Sequence, residues 1–138
     1  METQYDILLA VVGSIAAVVI IMSVTHPTTI RTYWDRSCTG RAWKQAFPGA
    51  SKAEIRNFLH LFVDAFAFPR KRSLQFAPAD QLLSVYRALY PIKGWPDALE
   101  LEDLARRLEQ TYGVDLRSIW RDDLTMGGIF EKSLLQHS

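Results

Sequence analysis

Eighteen consecutive uncharged residues, ILLAVVGSIAAVVIIMSV from Ile7 to Val24, constrain this chain more than any other feature. As an α-helix the run would cover about 27 Å, close to the hydrocarbon thickness of a bilayer, and a helix satisfies its own backbone polar groups there. A buried soluble helix is the alternative. The residues before it include the acids Glu2 and Asp6 and no Lys or Arg. A cleaved signal peptide would want basic residues at that place, so the expectation is an uncleaved anchor over residues 1–25. Arg31, Arg36, Arg41 and Lys44 follow at short range. Lys and Arg resist translocation, which predicts a single-pass protein of the inner (cytoplasmic) membrane, N-terminus out and C-terminal domain in the cytoplasm. Ala10, Gly13, Ser14 and Ala17 fall on one helical face. They would let a second membrane helix approach closely, although small residues are common in such helices.

Residues 26–50 mix Pro27, Gly40, Pro48 and Gly49 with bases and with Tyr33, Trp34, Trp43 and Phe47. This juxtamembrane segment is no bland linker. Tyr33 and Trp34 are expected at headgroup level, with Arg31 and Arg36 on anionic lipid. Trp43 and Phe47, four apart, are expected to begin the folded domain as a short extra helix.

Residues 51–138 read as a helical domain. Ser51 and Glu54 have capping-box spacing, and Ile55, Phe58, Leu59, Phe62, Val63 and Phe66 recur behind them at helical period. Pro78 and Asp80 open a second helix with Leu82, Leu83, Val85, Tyr86 and Leu89 on its apolar side, stopped at Pro91. It is expected to pack on the first. A third runs from about Leu99 to Tyr112, with Leu101, Leu104, Ala105, Leu108 and Tyr112 inward and Gly113 as a left-handed cap. A short last helix starts near Thr125, with Ile129, Phe130 and Leu134 inward. No period-two alternation bounded by hairpin turns is present. The expected fold is therefore all-α, one transmembrane helix followed by a small four-helix bundle.

A net charge of +1 gives no global basis for binding nucleic acid. The single cysteine, Cys38, cannot form an internal disulfide, and His26, His60 and His137 belong to no cluster at metal-ligand spacing. His60, between Leu59 and Leu61, suits a partly buried helix position better than a catalytic base. Asp122 and Asp123 suit the dipole of the following helix. Gly127-Gly128 lacks the lysine and the strand of a phosphate loop. No nucleophile with a base, no paired carboxylates and no metal set is visible, so neither enzyme activity nor a cofactor is expected. The basic stretch PRKRS, Pro69 to Ser73, is read as a solvated loop, or as a contact for anionic lipid or an acidic partner.

PDALELEDLARRLEQTYGVDL, from Pro96 to Leu116, resembles the acyl carrier protein family around its second helix. Asp97 and Leu99 stand where the family's Asp-Ser-Leu has its first and third residues. Asp103-Leu104 and Leu108-Glu109 match its acid and leucine pairs, Tyr112-Gly113-Val114 with Leu116 its helix exit, and Leu124-Thr125 the cap of its last helix. About 40 residues carry the likeness. Ala98 occupies the position of the serine that carries phosphopantetheine, so the resemblance implies a carrier-like domain that cannot be charged. The helix from Pro78 to Tyr90, where the family has mainly a loop, is a second departure.

In carrier proteins the equivalent of the third helix is recognised by partner enzymes. Asp97, Glu100, Glu102 and Asp103 are accordingly the expected partner surface, interrupted by Arg106 and Arg107. Trp95 and Trp120, in the segments flanking that helix, either close the core or anchor an interface. The function expected is that of a membrane-anchored, non-catalytic accessory or scaffold subunit, with the bilayer and other protein subunits as its partners. The alternative is a membrane-anchored immunity or inhibitor protein against a cognate toxin.

Overall fold

The computed structural model describes residues 10–12, 14, 30–89 and 99–137. A helical stretch at 30–34 is followed by α1 (Gly40–Ala46), α2 (Lys52–Ala65), a 3-10 segment (Arg70–Gln75), α3 (Leu82–Leu89), α4 (Leu99–Tyr112), α5 (Leu116–Ile119) and α6 (Met126–His137). Among the described residues there is no β-strand, only an isolated antiparallel bridge between Gln81 and Thr125.

Local chemistry sets the two longest of these helices. At the start of α2 the Glu54 backbone N–H donates to the Ser51 hydroxyl at 3.0 Å, and the Ser51 backbone N–H donates to the Glu54 carboxylate at 2.7 Å. This is the capping box expected from the spacing. At its other end Ala67 takes φ +56°, with its N–H on the Asp64 carbonyl at 3.2 Å and the Phe68 N–H on the Val63 carbonyl at 2.8 Å. That is a Schellman cap with alanine at the left-handed position usually held by glycine. Helix α4 ends the expected way, on Gly113 at φ +68° with its N–H on the Glu109 carbonyl at 3.0 Å.

Helix α3 starts four residues later than Pro78 would suggest, because residues 78–82 are used to grip the start of α6. The N–H groups of Met126 and Gly127 donate to the carbonyls of Asp80 and Pro78, both at 2.8 Å, and Leu82 N–H donates to the Leu124 carbonyl at 2.9 Å. A Cβ on Gly127 would lie 3.0 Å from the Pro78 carbonyl oxygen, so the close approach accounts for the glycine. Asp80, itself buried, accepts from the Ala77 N–H at 2.7 Å and from Arg36 at 2.6 Å. The expected packing of α3 on α2 is not the main feature of the bundle: α2 lies chiefly against the 3-10 segment and α4, and α4 against α5 and α6.

The core is aromatic. Trp43 of α1 is fully buried, with Phe47, Phe58 and Phe130 at ring-centroid distances of 6.0, 6.0 and 5.7 Å, and its indole N–H donates to the Phe76 carbonyl at 2.7 Å. Around the Phe76 ring stand Tyr33, Trp34, Phe62 and Phe68 at 5.0–5.7 Å. Residues 30–50 thus share the core of the helices that follow.

The transmembrane part of the expected fold is corrected. Among the described residues no helix is long and apolar enough to cross a membrane, which goes against the single-pass span, the inner-membrane placement and the N-out topology. The longest described helices have 14 residues. They would span only about 21 Å against about 30 Å of hydrocarbon, and each carries charged side chains. Most of the Ile7–Val24 run, including Gly13 and Ala17 of the small-residue stripe, lies outside the described residues. Ala10 and Ser14 are described, exposed and helical, with the Ser14 hydroxyl donating to the Ala10 carbonyl at 2.9 Å.

Two outcomes follow. Ala67→Gly should raise stability by about 1 kcal/mol, and Gly113→Ala lower it by about the same, in urea denaturation. The Glu54 carboxyl is held below its ordinary range by hydrogen bonds to the Ser51 backbone and then to its side chain. A depressed carboxyl stabilises the fold above its unfolded value, and that contribution is lost as pH falls through its folded value. Glu54→Gln keeps the bond without the charge, so its melting temperature should fall less steeply than the wild type's between neutral pH and the acid limb. Parallel curves would show that the cap carries no such linkage.

Candidate functional site

An amphipathic groove runs between α4 and α5. Leu101, Glu102, Ala105, Arg106 and Glu109 line one wall from α4, and Asp115, Leu116, Arg117 and Trp120 the other. The α4 positions recur at three and four residues, which places them on one face beside the inward stripe of Leu104 and Leu108. The second wall depends on a four-residue helix. Asp115 caps it, its carboxylate accepting from the Arg117 N–H at 3.1 Å, and the Ser118 hydroxyl donates to the Asp115 carbonyl at 2.7 Å. Trp120 then leaves in extended backbone at φ −61°, ψ 129°. Trp120 is 36% exposed, whereas Trp43 is 0% exposed.

Of the residues expected to contact a partner, Glu102 and Trp120 come together in this groove. Asp103 stands beside it and is turned to its own helix, paired with Arg106 and, at 2.8 Å, with Arg107. Hydrogen bonding to Arg107 chiefly, helped by Arg106, holds its carboxyl below the ordinary range. The arginines that interrupt the acidic run thus neutralise part of it. Glu100 is half-buried at the start of α4. Trp95, Asp97 and Ala98 lie outside the described residues.

The four residues expected at the lipid surface mostly turn inward. Tyr33 is buried at 9% exposure, 5.6 Å from the Phe76 ring, with the Arg36 guanidinium 4.7 Å above it. Burial first, then the Asp80 charge, raises its hydroxyl above the ordinary range. Trp34 packs edge-on against Phe68 at 5.0 Å beneath Arg72. Arg36 is ion-paired with Asp80, and Arg31 is exposed. An aromatic-basic sequence next to an apolar run thus serves as packing here, because the rings find Phe68 and Phe76, some 35 to 45 residues away, to bury against.

Among the described residues no three of His, Cys, Asp and Glu are placed to share a metal ion. Cys38 is exposed and His60 half-buried. Of the second wall, sequence reasoning named Trp120 and missed Asp115, Leu116 and Arg117. The Asp115-Leu116 pair was a visible signal, an N-cap residue before an apolar one, but four residues are too few for a periodic pattern.

Comparison with known protein families, curated proteins and solved structures gives no match.

The two tryptophans should separate cleanly. Trp43→Ala should cost about 3–5 kcal/mol, or prevent folding, whereas Trp120→Ala should stay within about 1 kcal/mol of the parent in chemical denaturation. Similar losses for both would place Trp120 in the core rather than on a groove wall.

Proposed function

We propose that this chain is a non-catalytic binding module, a carrier-like helical domain that cannot be phosphopantetheinylated and that works by contact with a partner protein at the α4–α5 groove. The observation that carries the proposal is Trp120, a large aromatic left partly exposed across from Leu101 and Ala105, with Glu102, Arg106, Glu109 and Arg117 in the same lining. An apolar centre with an aromatic anchor and a charged rim is the usual composition of a protein interface, and tryptophan is over-represented among the residues that dominate its energy. The mixed charge of the rim favours a partner of mixed charge over a polyanion or polycation. The carrier frame supports the same conclusion from sequence: with a methyl group at Ala98 there is no hydroxyl to esterify, which leaves recognition as the function of that helix.

The test has two readouts. After co-expression with a broad-specificity phosphopantetheinyl transferase, intact-mass measurement should show the unmodified chain, and added mass would end the uncharged-carrier proposal. For the surface, a partner recovered with the parent chain from its native cells should bind Trp120→Ala with about 2 kcal/mol less affinity and be weakened by Glu102→Lys. Affinity equal to the parent's in both variants, with unchanged folding, would exclude the groove.

A further inference from the structure

Charge is divided along this chain in a way that its net value hides. Residues 30–75 hold nine Lys and Arg against three Asp and Glu, and residues 99–137 hold five against eight. Several of the bases in the first stretch are used by the fold. Arg36 pairs with Asp80, Arg70 with Asp64, and Arg72 lies over Trp34 and donates to the Gln75 side chain at 3.1 Å. Lys44 donates to the Ala50 carbonyl at 2.6 Å.

Arg41, Lys52 and Arg56 are different. None of them makes an ion pair or side-chain hydrogen bond with another described residue, and all three are exposed. With Lys44 they edge a single groove of about 470 Å³ between α1 and the first turns of α2, where Ile55 and Leu74 supply apolar lining. No carboxylate lines it. The nearby Glu54 is engaged in its capping box.

This arrangement works against the fold. Lys52 and Arg56 are four apart on one helix, the spacing at which like charges repel, and Lys52 is the first residue of α2, where the helix dipole disfavours a cation. An anion placed among them removes both penalties. The groove volume lies in the range of small-molecule sites, and its lining combines apolar surface with a few charged groups, as such sites do. We propose that this groove binds a small amphiphilic anion, a phosphate or carboxylate head held by Arg41, Lys52 and Arg56 with a short apolar body over Ile55 and Leu74. The site is separate from the α4–α5 groove and does not depend on it.

Calorimetric titration of the full chain with octyl phosphate, octanoate, inorganic phosphate and octyl glucoside, each below its micelle concentration, tests this. Octyl phosphate or octanoate should bind, and the tighter of the two identifies the head group. Octyl glucoside should give no saturable heat, and inorganic phosphate should bind about tenfold or more weaker than octyl phosphate. The double variant Lys52→Gln, Arg56→Gln should melt no lower than the parent and lose about tenfold or more of the affinity, since charge-assisted contacts are removed. Absence of binding by both amphiphilic anions, octyl glucoside binding as tightly as they do, inorganic phosphate matching octyl phosphate, or undiminished affinity in the folded double variant would each overturn the proposal.

Discussion

The Trp43 indole joins parts of the chain that are otherwise far apart in sequence. A buried indole N–H without an acceptor costs roughly 1–3 kcal/mol, and here the acceptor is the Phe76 carbonyl, 33 residues further on. The Thr39 hydroxyl lies 2.7 Å from the same oxygen, and the Thr39 backbone N–H donates to the Leu74 carbonyl at 2.8 Å. These bonds fix the end of the 3-10 segment against α1 and so hold the Phe76 ring among Tyr33, Trp34, Phe62 and Phe68, while the face of α1 that bears Trp43 meets Phe58 and Phe130. The two aromatic groups thereby become one core, and residues 30–50 cannot be separated from it without leaving buried polar groups unpaired.

The rest of the architecture leans on that core from outside. The Arg36–Asp80 pair ties the entry of the domain to the turn before α3, and the same turn receives the N–H groups of Met126 and Gly127 from α6. Three segments distant in sequence thus meet at residues 78–82. Because Arg41, Lys44, Lys52 and Arg56 meet where α1 faces the start of α2, and α4 sets acids and arginines beside the wall that bears Trp120, the packing produces two surfaces of different character. One is a groove with an aromatic wall and mixed charge. The other carries cations that the fold leaves uncompensated.

The side of α4 that the fold leaves accessible is the one with Leu101, Glu102, Ala105, Arg106 and Glu109, and its acidity is tempered where Arg106 and Arg107 hold Asp103.

What could be read directly from the sequence was whatever a few neighbouring residues decide among themselves. The Ser51–Glu54 capping box, the left-handed Gly113, the apolar faces of α2 and α4 and the helical character of the chain are all settled within one or two turns, where a residue's partner is never more than about four positions away. Hydropathy over residues 7–24 is equally local, and it describes composition; a membrane-spanning helix does not follow from it, and none is found among the described residues. Tertiary packing decided the rest. It put Tyr33 and Trp34 into the core instead of at a lipid surface, delayed the start of α3 to let residues 78–82 hold α6, paired Asp103 with its own helix, and brought Glu102 and Trp120 into one groove. These outcomes depend on which distant ring, carbonyl or charge each side chain meets. No pattern of three and four residues encodes such a partner, because burial and hydrogen-bond satisfaction are decided across the whole core at once.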